Sequence, residues 1–118
     1  MFRCSAATAA LLVALAAGAP ARAQETPATT GDLKCALVGF ALATSERKEE
    51  QQAGLMLAFY YYGRLSAAPG VQVEKRLKEV ADAMTDEAFV KESTRCGDEL
   101  AQVGESMQRF GESMGRKP

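Results

Sequence analysis

Polar and apolar residues alternate most regularly in the last third of the chain. There, the positions that share one side of a helix follow one another at alternating steps of four and three residues. They are Phe89, Ser93, Cys96, Leu100, Val103, Met107, Phe110 and Met114. This spacing is typical of a long α-helix with one narrow buried face. Thr85 is a suitable N-cap, so we predict a helix over residues 86–114.

The eight positions named above form the apolar seam of this helix. Glycine recurs every seven residues beside the seam. The positions are Gly97, Gly104 and Gly111. A missing side chain at these positions would let another helix approach closely. The predicted helix would be about 43 Å long, whereas a globule of this size is roughly 32 Å across. We expect either a bend at Gly104 or Gly111, or a projecting end on which Met107, Phe110 and Met114 form an exposed apolar strip. We favour the strip.

Three further helices precede this one. Asp32 is a good N-cap for a short, mostly buried helix over residues 32–42, with Leu37 and Phe40 expected in the core. Residues 46–65 form a second helix, and residues 71–84 form an amphipathic third helix after the Pro69-Gly70 turn. The fold class is therefore all-α, a small bundle of about four helices. A single helical domain covers residues 32–118, after a flexible leader at residues 24–31.

The second helix is apolar around its whole circumference between Leu55 and Tyr62. Such a helix is either central to a core or covered by a partner. Its three consecutive tyrosines, residues 60–62, are interpreted first as packed rings whose hydroxyls reach the rim of the core. The alternative is a binding surface, for which Tyr61 is the candidate.

The first 23 residues have the pattern of a secretory signal peptide. An apolar run over residues 6–18 is followed by Pro20 and by the small residues Ala21 and Ala23. We predict cleavage between Ala23 and Gln24. The run is shorter than the ~20 residues that span a membrane, so we expect no transmembrane helix in the mature form. We expect a periplasmic or secreted protein of a Gram-negative bacterium.

Two cysteines, Cys35 and Cys96, remain after the signal peptide is removed, since Cys4 lies within it. In an exported chain they predict one disulfide. It would close a loop of 61 positions, worth roughly 4 kcal/mol in the chain-entropy model. A reactive thiol pair or a pair of metal ligands is the alternative, but the chain has no histidine and no C-x-x-C motif.

Charge and motifs exclude several functions. Without Arg3 and Arg22, the mature chain keeps 12 basic and 15 acidic residues, a net charge of −3. This balance argues against a nucleic-acid partner, which needs a basic stripe. The sequence has neither a Gly-x-Ser-x-Gly motif nor a phosphate-binding glycine loop. We therefore predict no enzyme, no catalytic residues, no cofactor and no metal site.

Two groups of exported helical proteins are similar to this chain. Asp32-Leu33-Lys34-Cys35 and the Thr85-led helix start ahead of Cys96 resemble the two cysteine helices of the HdeA-type periplasmic acid-stress chaperones. That resemblance implies a chaperone that senses acid through carboxylates. The segment Tyr62-Gly63-Arg64-Leu65, placed before a proline turn, resembles the uncharacterised small exported two-cysteine helical proteins of proteobacteria. This second resemblance implies no activity.

Two hypotheses about function follow. The first is a partner-binding or structural protein of the cell envelope, in which Met107, Phe110, Met114 and Tyr61 contact a protein partner or a second copy in a homodimer. The alternative is the acid-stress chaperone. Protonating every carboxylate would change the mature charge from −3 to +12, and repulsion would loosen the fold and expose apolar surface.

Overall fold

The computed structural model describes residues 25–115, and within this range the chain forms four α-helices and no strand. Helix α1 spans Pro27–Ala43, α2 Lys48–Ala67, α3 Val73–Ala83 and α4 Asp86–Gly115. The predicted all-α fold with a long C-terminal helix is therefore confirmed. The predicted signal peptide and its cleavage site, Ala23–Gln24, lie outside the described residues.

Helix α1 begins five residues earlier than the sequence analysis predicts. The Thr26 side chain caps it by accepting a hydrogen bond from the Thr29 amide at 3.1 Å. Pro27 follows at the first helical position, where its missing N–H costs nothing and its fixed φ suits a helix. Residues 27–31 are thus helical, and their assignment to a flexible leader is wrong.

Short connections separate the remaining helices. The turn between α2 and α3 contains Pro69 and Gly70, and Gly70 adopts a φ of 73°, which only glycine takes readily. Thr85 caps α4 by accepting a hydrogen bond from the Ala88 amide at 3.1 Å, as predicted. Asp86 and Glu87 lie in the first turn of α4, where their negative charges interact favourably with the positive end of the helix dipole.

The closest packing in the molecule is between α1 and α2. A Cβ atom added to Gly39 would lie 2.4 Å from the backbone nitrogen of Ala58. A Cβ atom added to Gly54 would lie 2.3 Å from the backbone nitrogen of Ala43. Both distances are far shorter than any real carbon–nitrogen contact. The two helices are therefore in backbone contact, and only glycine fits at these two positions.

The core lies between α1, α2 and the first half of α4. Its fully buried members are Leu33, Cys35, Ala36, Val38, Leu57, Tyr61, Leu65 and Cys96. Phe89 and Leu100 of α4 are half-buried against it, and so are Val73, Leu77 and Val80 of α3. Phe40, which the sequence analysis expected in the core, is 43% exposed because it lies at the outer edge of the α1–α2 contact.

The predicted disulfide is confirmed. Cys35 on α1 and Cys96 on α4 are bonded, with their Cα atoms 5.4 Å apart. Both residues are fully buried, so the bond is part of the core. It connects the packed α1–α2 pair to α4 at a point about one third of the way along that helix.

Candidate functional site

A group of charged side chains surrounds the disulfide. Arg95 of α4 donates hydrogen bonds to Glu92 and Glu99 on its own helix, both at 2.7 Å. The same guanidinium reaches α1, donating to the Gly31 carbonyl at 3.1 Å. On α2, Arg64 pairs with Asp32 of α1 at 3.0 Å. These contacts, called here the polar cluster, tie α1, α2 and α4 together around the covalent bond.

Tyr61 belongs to the core and to this polar cluster. Its ring is fully buried, and its hydroxyl donates a hydrogen bond to Glu99 at 2.9 Å. Burial and the Glu99 carboxylate raise the pKa of Tyr61 far above its usual value, so the hydroxyl stays protonated as a donor. Tyr61 is thus buried, although it borders an open groove of about 590 Å³ that Met107 and Phe110 also line. Its assignment as a candidate partner-binding residue stays a prediction. The packing interpretation of the tyrosines describes its position.

The pKa values of two carboxylates in the polar cluster, Glu99 and Asp32, are shifted in opposite directions. Partial burial raises the pKa of Glu99, but hydrogen bonds from Tyr61 and Arg95 outweigh it and leave the pKa lowered. Burial dominates for Asp32, whose pKa is raised despite the nearby Arg64. No buried polar side-chain atom among residues 25–115 lacks a hydrogen-bond partner. The cluster thus has the character of a structural network whose groups hold one another.

The described residues offer no grouping suited to metal binding. No three potential ligands among residues 25–115 lie close enough together to hold an ion. In the same part of the chain, no helix is both long enough and apolar enough to cross a membrane.

Exposed apolar side chains are concentrated on α2 and α4. On the outer face of α2 they form an aromatic patch with one residue of α1, lining a groove of about 390 Å³. The aromatic patch consists of Phe40, Leu55, Phe59 and Tyr62. Phe59 is 77% exposed at its centre. The rings of Phe40 and Tyr62 meet edge to face, with centroids 6.1 Å apart, which fixes one wall of the groove.

A second apolar groove, of about 430 Å³, lies between α2 and α4. Met56 and Phe59 line it from α2, and Leu100, Val103 and Met107 line it from α4. Phe59 also lines the groove of the aromatic patch, so the two grooves adjoin at this residue. The apolar surface therefore extends from α1 across α2 to the C-terminal half of α4.

The α4 strip, defined as Met107, Phe110 and Met114, is exposed as the sequence analysis favoured. Phe110 is 66% exposed, and the other two residues are similar. Helix α4 continues without interruption through Gly104 and Gly111. The alternative, in which a bend at one of these glycines returns the seam to the core, is therefore excluded.

Sequence reasoning missed most of this surface. Leu55, Met56 and Phe59 were noted only as parts of a helix that is apolar all round. Gly39 and Gly54 lie where α1 and α2 pack together, which leaves these three residues on the opposite face of α2. The sequence alone carries no signal for this arrangement, because it depends on which faces of the two helices meet. Comparisons with family models, curated proteins and solved structures found no match to this chain.

Proposed function

We propose that this chain is an exported, non-catalytic helical protein of the periplasm or the extracellular space that binds another protein through its apolar surface. The observation that carries the proposal is the exposed apolar surface formed by the aromatic patch, Met56 and the α4 strip. Contiguous apolar patches of this kind mark interaction sites on soluble proteins, whereas scattered exposed apolar residues do not.

The arrangement of α2 supports this proposal. Leu57, Tyr61 and Leu65 face the core, while Met56 and Phe59 face outward. Covering a side chain of this size contributes roughly 1.5–3 kcal/mol. The residues that line the two grooves are apolar or aromatic and none is charged, as in the centres of protein–protein interfaces.

The polar cluster supports a role without catalysis. Its carboxylates and guanidinium groups are engaged with one another, and the disulfide beside them is buried. A catalytic base or nucleophile needs a reachable position in a cleft. The exposed surface, in contrast, contains side chains suited to packing.

Partner capture from the cell envelope tests the proposal. The protein would carry a photo-crosslinker at Leu55, and adducts formed at neutral pH would be identified by mass spectrometry. Phe59→Glu places a charge at the centre of the surface and should abolish the specific adducts. Val90→Glu is the matched control, because Val90 is 66% exposed on α4 outside the surface. Adducts that survive Phe59→Glu, or vanish equally with Val90→Glu, would contradict the proposal.

A second candidate function is the acid-stress chaperone, which the distribution of interhelical ion pairs favours. Glu25, just before α1, accepts two hydrogen bonds from Arg76 of α3 at 2.8 Å. Glu99 connects α4 to α2 through Tyr61, and Asp32 connects α1 to α2 through Arg64. A carboxylate thus takes part in each of these contacts, while the disulfide does not depend on pH.

The signs of the pKa shifts define what acid would do. Arg76 lowers the pKa of Glu25, and Glu99 is also lowered, so both carboxylates stabilise the fold above pH 4.5 and lose this effect as the pH falls through their folded pKa values. Asp32 opposes them, because its raised pKa favours folding below pH 3.8. Suppression of client aggregation at pH 2–3 but not at pH 7 would support this function. Equal activity at both values would contradict it.

A further inference from the structure

We propose that the α4 strip is the contact between two copies of this chain, paired antiparallel over residues 103–114 of α4. The inference rests on the proposed function, since it names the occupant of one part of the apolar surface. The aromatic patch, which is centred on α2, is left for a different protein.

The apolar seam of α4 continues beyond the part of the helix that the rest of the molecule covers. Cys96 is buried, and Leu100 and Val103 are half-buried. From Gly104 to Gly115 every residue is exposed. Met107, Phe110 and Met114 nevertheless keep the steps of three and four that set the earlier part of the seam. A seam that keeps its period after its own core has ended is suited to a second helix.

The positions beside the strip fit a copy of the same helix. Gly104 and Gly111 flank it on one side, and Ser106 and Ser113 flank it on the other. In an antiparallel pair of identical helices each flank faces the same flank of the other copy, so two charged flanks of one sign would repel each other. Here both flanks are small and uncharged. The charged residues of this segment, Glu105, Arg109 and Glu112, occupy other positions of the heptad.

Space around the glycines permits a close approach. A Cβ atom at Gly104 or Gly111 would meet nothing within 4 Å. The α1–α2 contact shows how this chain uses such positions, since Gly39 and Gly54 bring two helices into backbone contact. In an antiparallel pair that places Gly104 of one copy opposite Gly111 of the other, the two Met107 residues lie close to the twofold axis. Phe110 of each copy then lies within one helical turn of Met107 of the other.

The placement of the four-helix body decides the direction of pairing. Residues of α2 line grooves with residues of α4 between Glu99 and Phe110, so the body lies towards the N-terminal end of the strip. Parallel helices would bring both bodies to the same end, where they would collide. Antiparallel helices place them at opposite ends, and the free end of each α4 then reaches the groove at Met56 of the other copy.

The area is sufficient for a weak dimer. The three residues of the strip are each about two-thirds exposed, and side chains of this size bury roughly 150–250 Å² when fully covered. With Val103 and Met56, each copy would bury about 500–600 Å². The total of about 1,000–1,200 Å² is at the lower end for specific interfaces. We therefore expect a dissociation constant of about 1–100 μM.

Sedimentation equilibrium of the purified, disulfide-bonded protein tests the pairing. The parent should show a reversible monomer–dimer equilibrium, and Phe110→Glu should weaken it by about 100-fold or more, which leaves a monomer. Val90→Glu, an equal change on the same helix outside the strip, should leave the equilibrium unchanged. A parent that stays monomeric to about 1 mM, or equal weakening by the two variants, would overturn the proposal.

Cysteine crosslinking tests the direction. Gly104→Cys and Gly111→Cys proteins would each be oxidised by themselves. A third sample would contain both variants in equal amounts, mixed before oxidation. Antiparallel pairing brings residue 104 of one copy beside residue 111 of the other, so a crosslinked dimer should form only in the mixture. Identical positions would lie about 10 Å or more apart along the axis, too far for a disulfide. Crosslinking of either variant with itself alone would overturn the antiparallel register.

These experiments use the protein alone, so their outcome is independent of partner capture at the aromatic patch. A monomeric parent whose adducts are lost in Phe59→Glu would retain the proposed function and exclude the dimer. A dimeric parent that forms no adducts would retain the dimer and exclude the proposed function.

Discussion

The α1–α2 contact and the C-terminal half of α4 combine the same two ingredients, glycine and apolar side chains at helical spacing, and differ in their outcome. At Gly39 and Gly54 an added Cβ atom would overlap the backbone of the facing helix. At Gly104 and Gly111 it would meet nothing. In the first region the large side chains, such as Leu57, are buried, whereas in the second Phe110 is exposed.

Chain connectivity explains the difference. Only four residues separate α1 from α2, so the two helices must lie side by side, and the glycines of each find the backbone of the other. The second half of α4 is separated from α2 by open grooves, so every residue from Gly104 to Gly115 stays exposed. Glycine spacing thus indicates where a helix could approach, and the connections decide whether one does.

Removal of the disulfide should have the largest effect, because this bond connects the packed region to the open one. The Cys35→Ala, Cys96→Ala double variant should lose about 4 kcal/mol of unfolding free energy in the chain-entropy model. Urea denaturation measures this loss. Hydrogen exchange should then show protection lost first in α4 and retained longer in α1 and α2. Equal loss of protection in all helices would mean that α4 is integral to the packed region.

Gly39→Ala should have the next largest effect. The methyl group would lie 2.4 Å from a backbone atom, and neither helix can move aside without opening the core. We expect a loss of about 3 kcal/mol, at the upper end for overpacking of a core. The midpoint of urea denaturation reports it. Gly97→Ala is the matched control, since its methyl group meets nothing within 4 Å. A Gly39→Ala protein as stable as the parent would show that the backbone contact is looser than described.

Tyr61→Phe should have a smaller, pH-dependent effect. It removes the hydrogen bond to Glu99, so the lowered pKa of Glu99 should rise towards 4.5. The variant should lose about 1 kcal/mol at pH 7, and the loss should shrink as the pH falls below 4.5, because a protonated Glu99 stabilises the parent less. NMR titration of the Glu99 carboxylate measures the shift. Tyr62→Phe serves as the control, since its hydroxyl has no hydrogen bond within the described residues. An unchanged Glu99 titration would contradict the assigned contact.

The parts of the fold that depend on local pattern could be predicted from the sequence. The α4 seam, its Thr85 cap and the two cysteines are all readable from spacing and residue type. The role of Gly39 and Gly54 could not be read, because neither shows a repeat and their effect depends on which faces of α1 and α2 meet. The burial of Tyr61 and the exposure of Phe59 could not be predicted for the same reason. When a helix is apolar around its whole circumference, the sequence pattern does not show which face packs on the core.

Gly104→Ala and Gly111→Ala should have the smallest effect and the opposite sign to Gly39→Ala. Each methyl group points into open space, so the only change in the folded monomer is the better helix propensity of alanine. Each substitution should therefore raise the unfolding free energy by about 0.5–1 kcal/mol when the protein is dilute enough to be monomeric. Urea denaturation at a protein concentration at least about tenfold below the dimer dissociation constant measures this gain. Repeating it at about 1 mM sharpens the comparison, because a paired α4 would then need its glycines for close approach. The gain should shrink or reverse at the higher concentration if these glycines, like Gly39 and Gly54, face another backbone. A gain that is the same at both concentrations would leave Gly104 and Gly111 without a packing role and would confine the need for glycine to the α1–α2 contact.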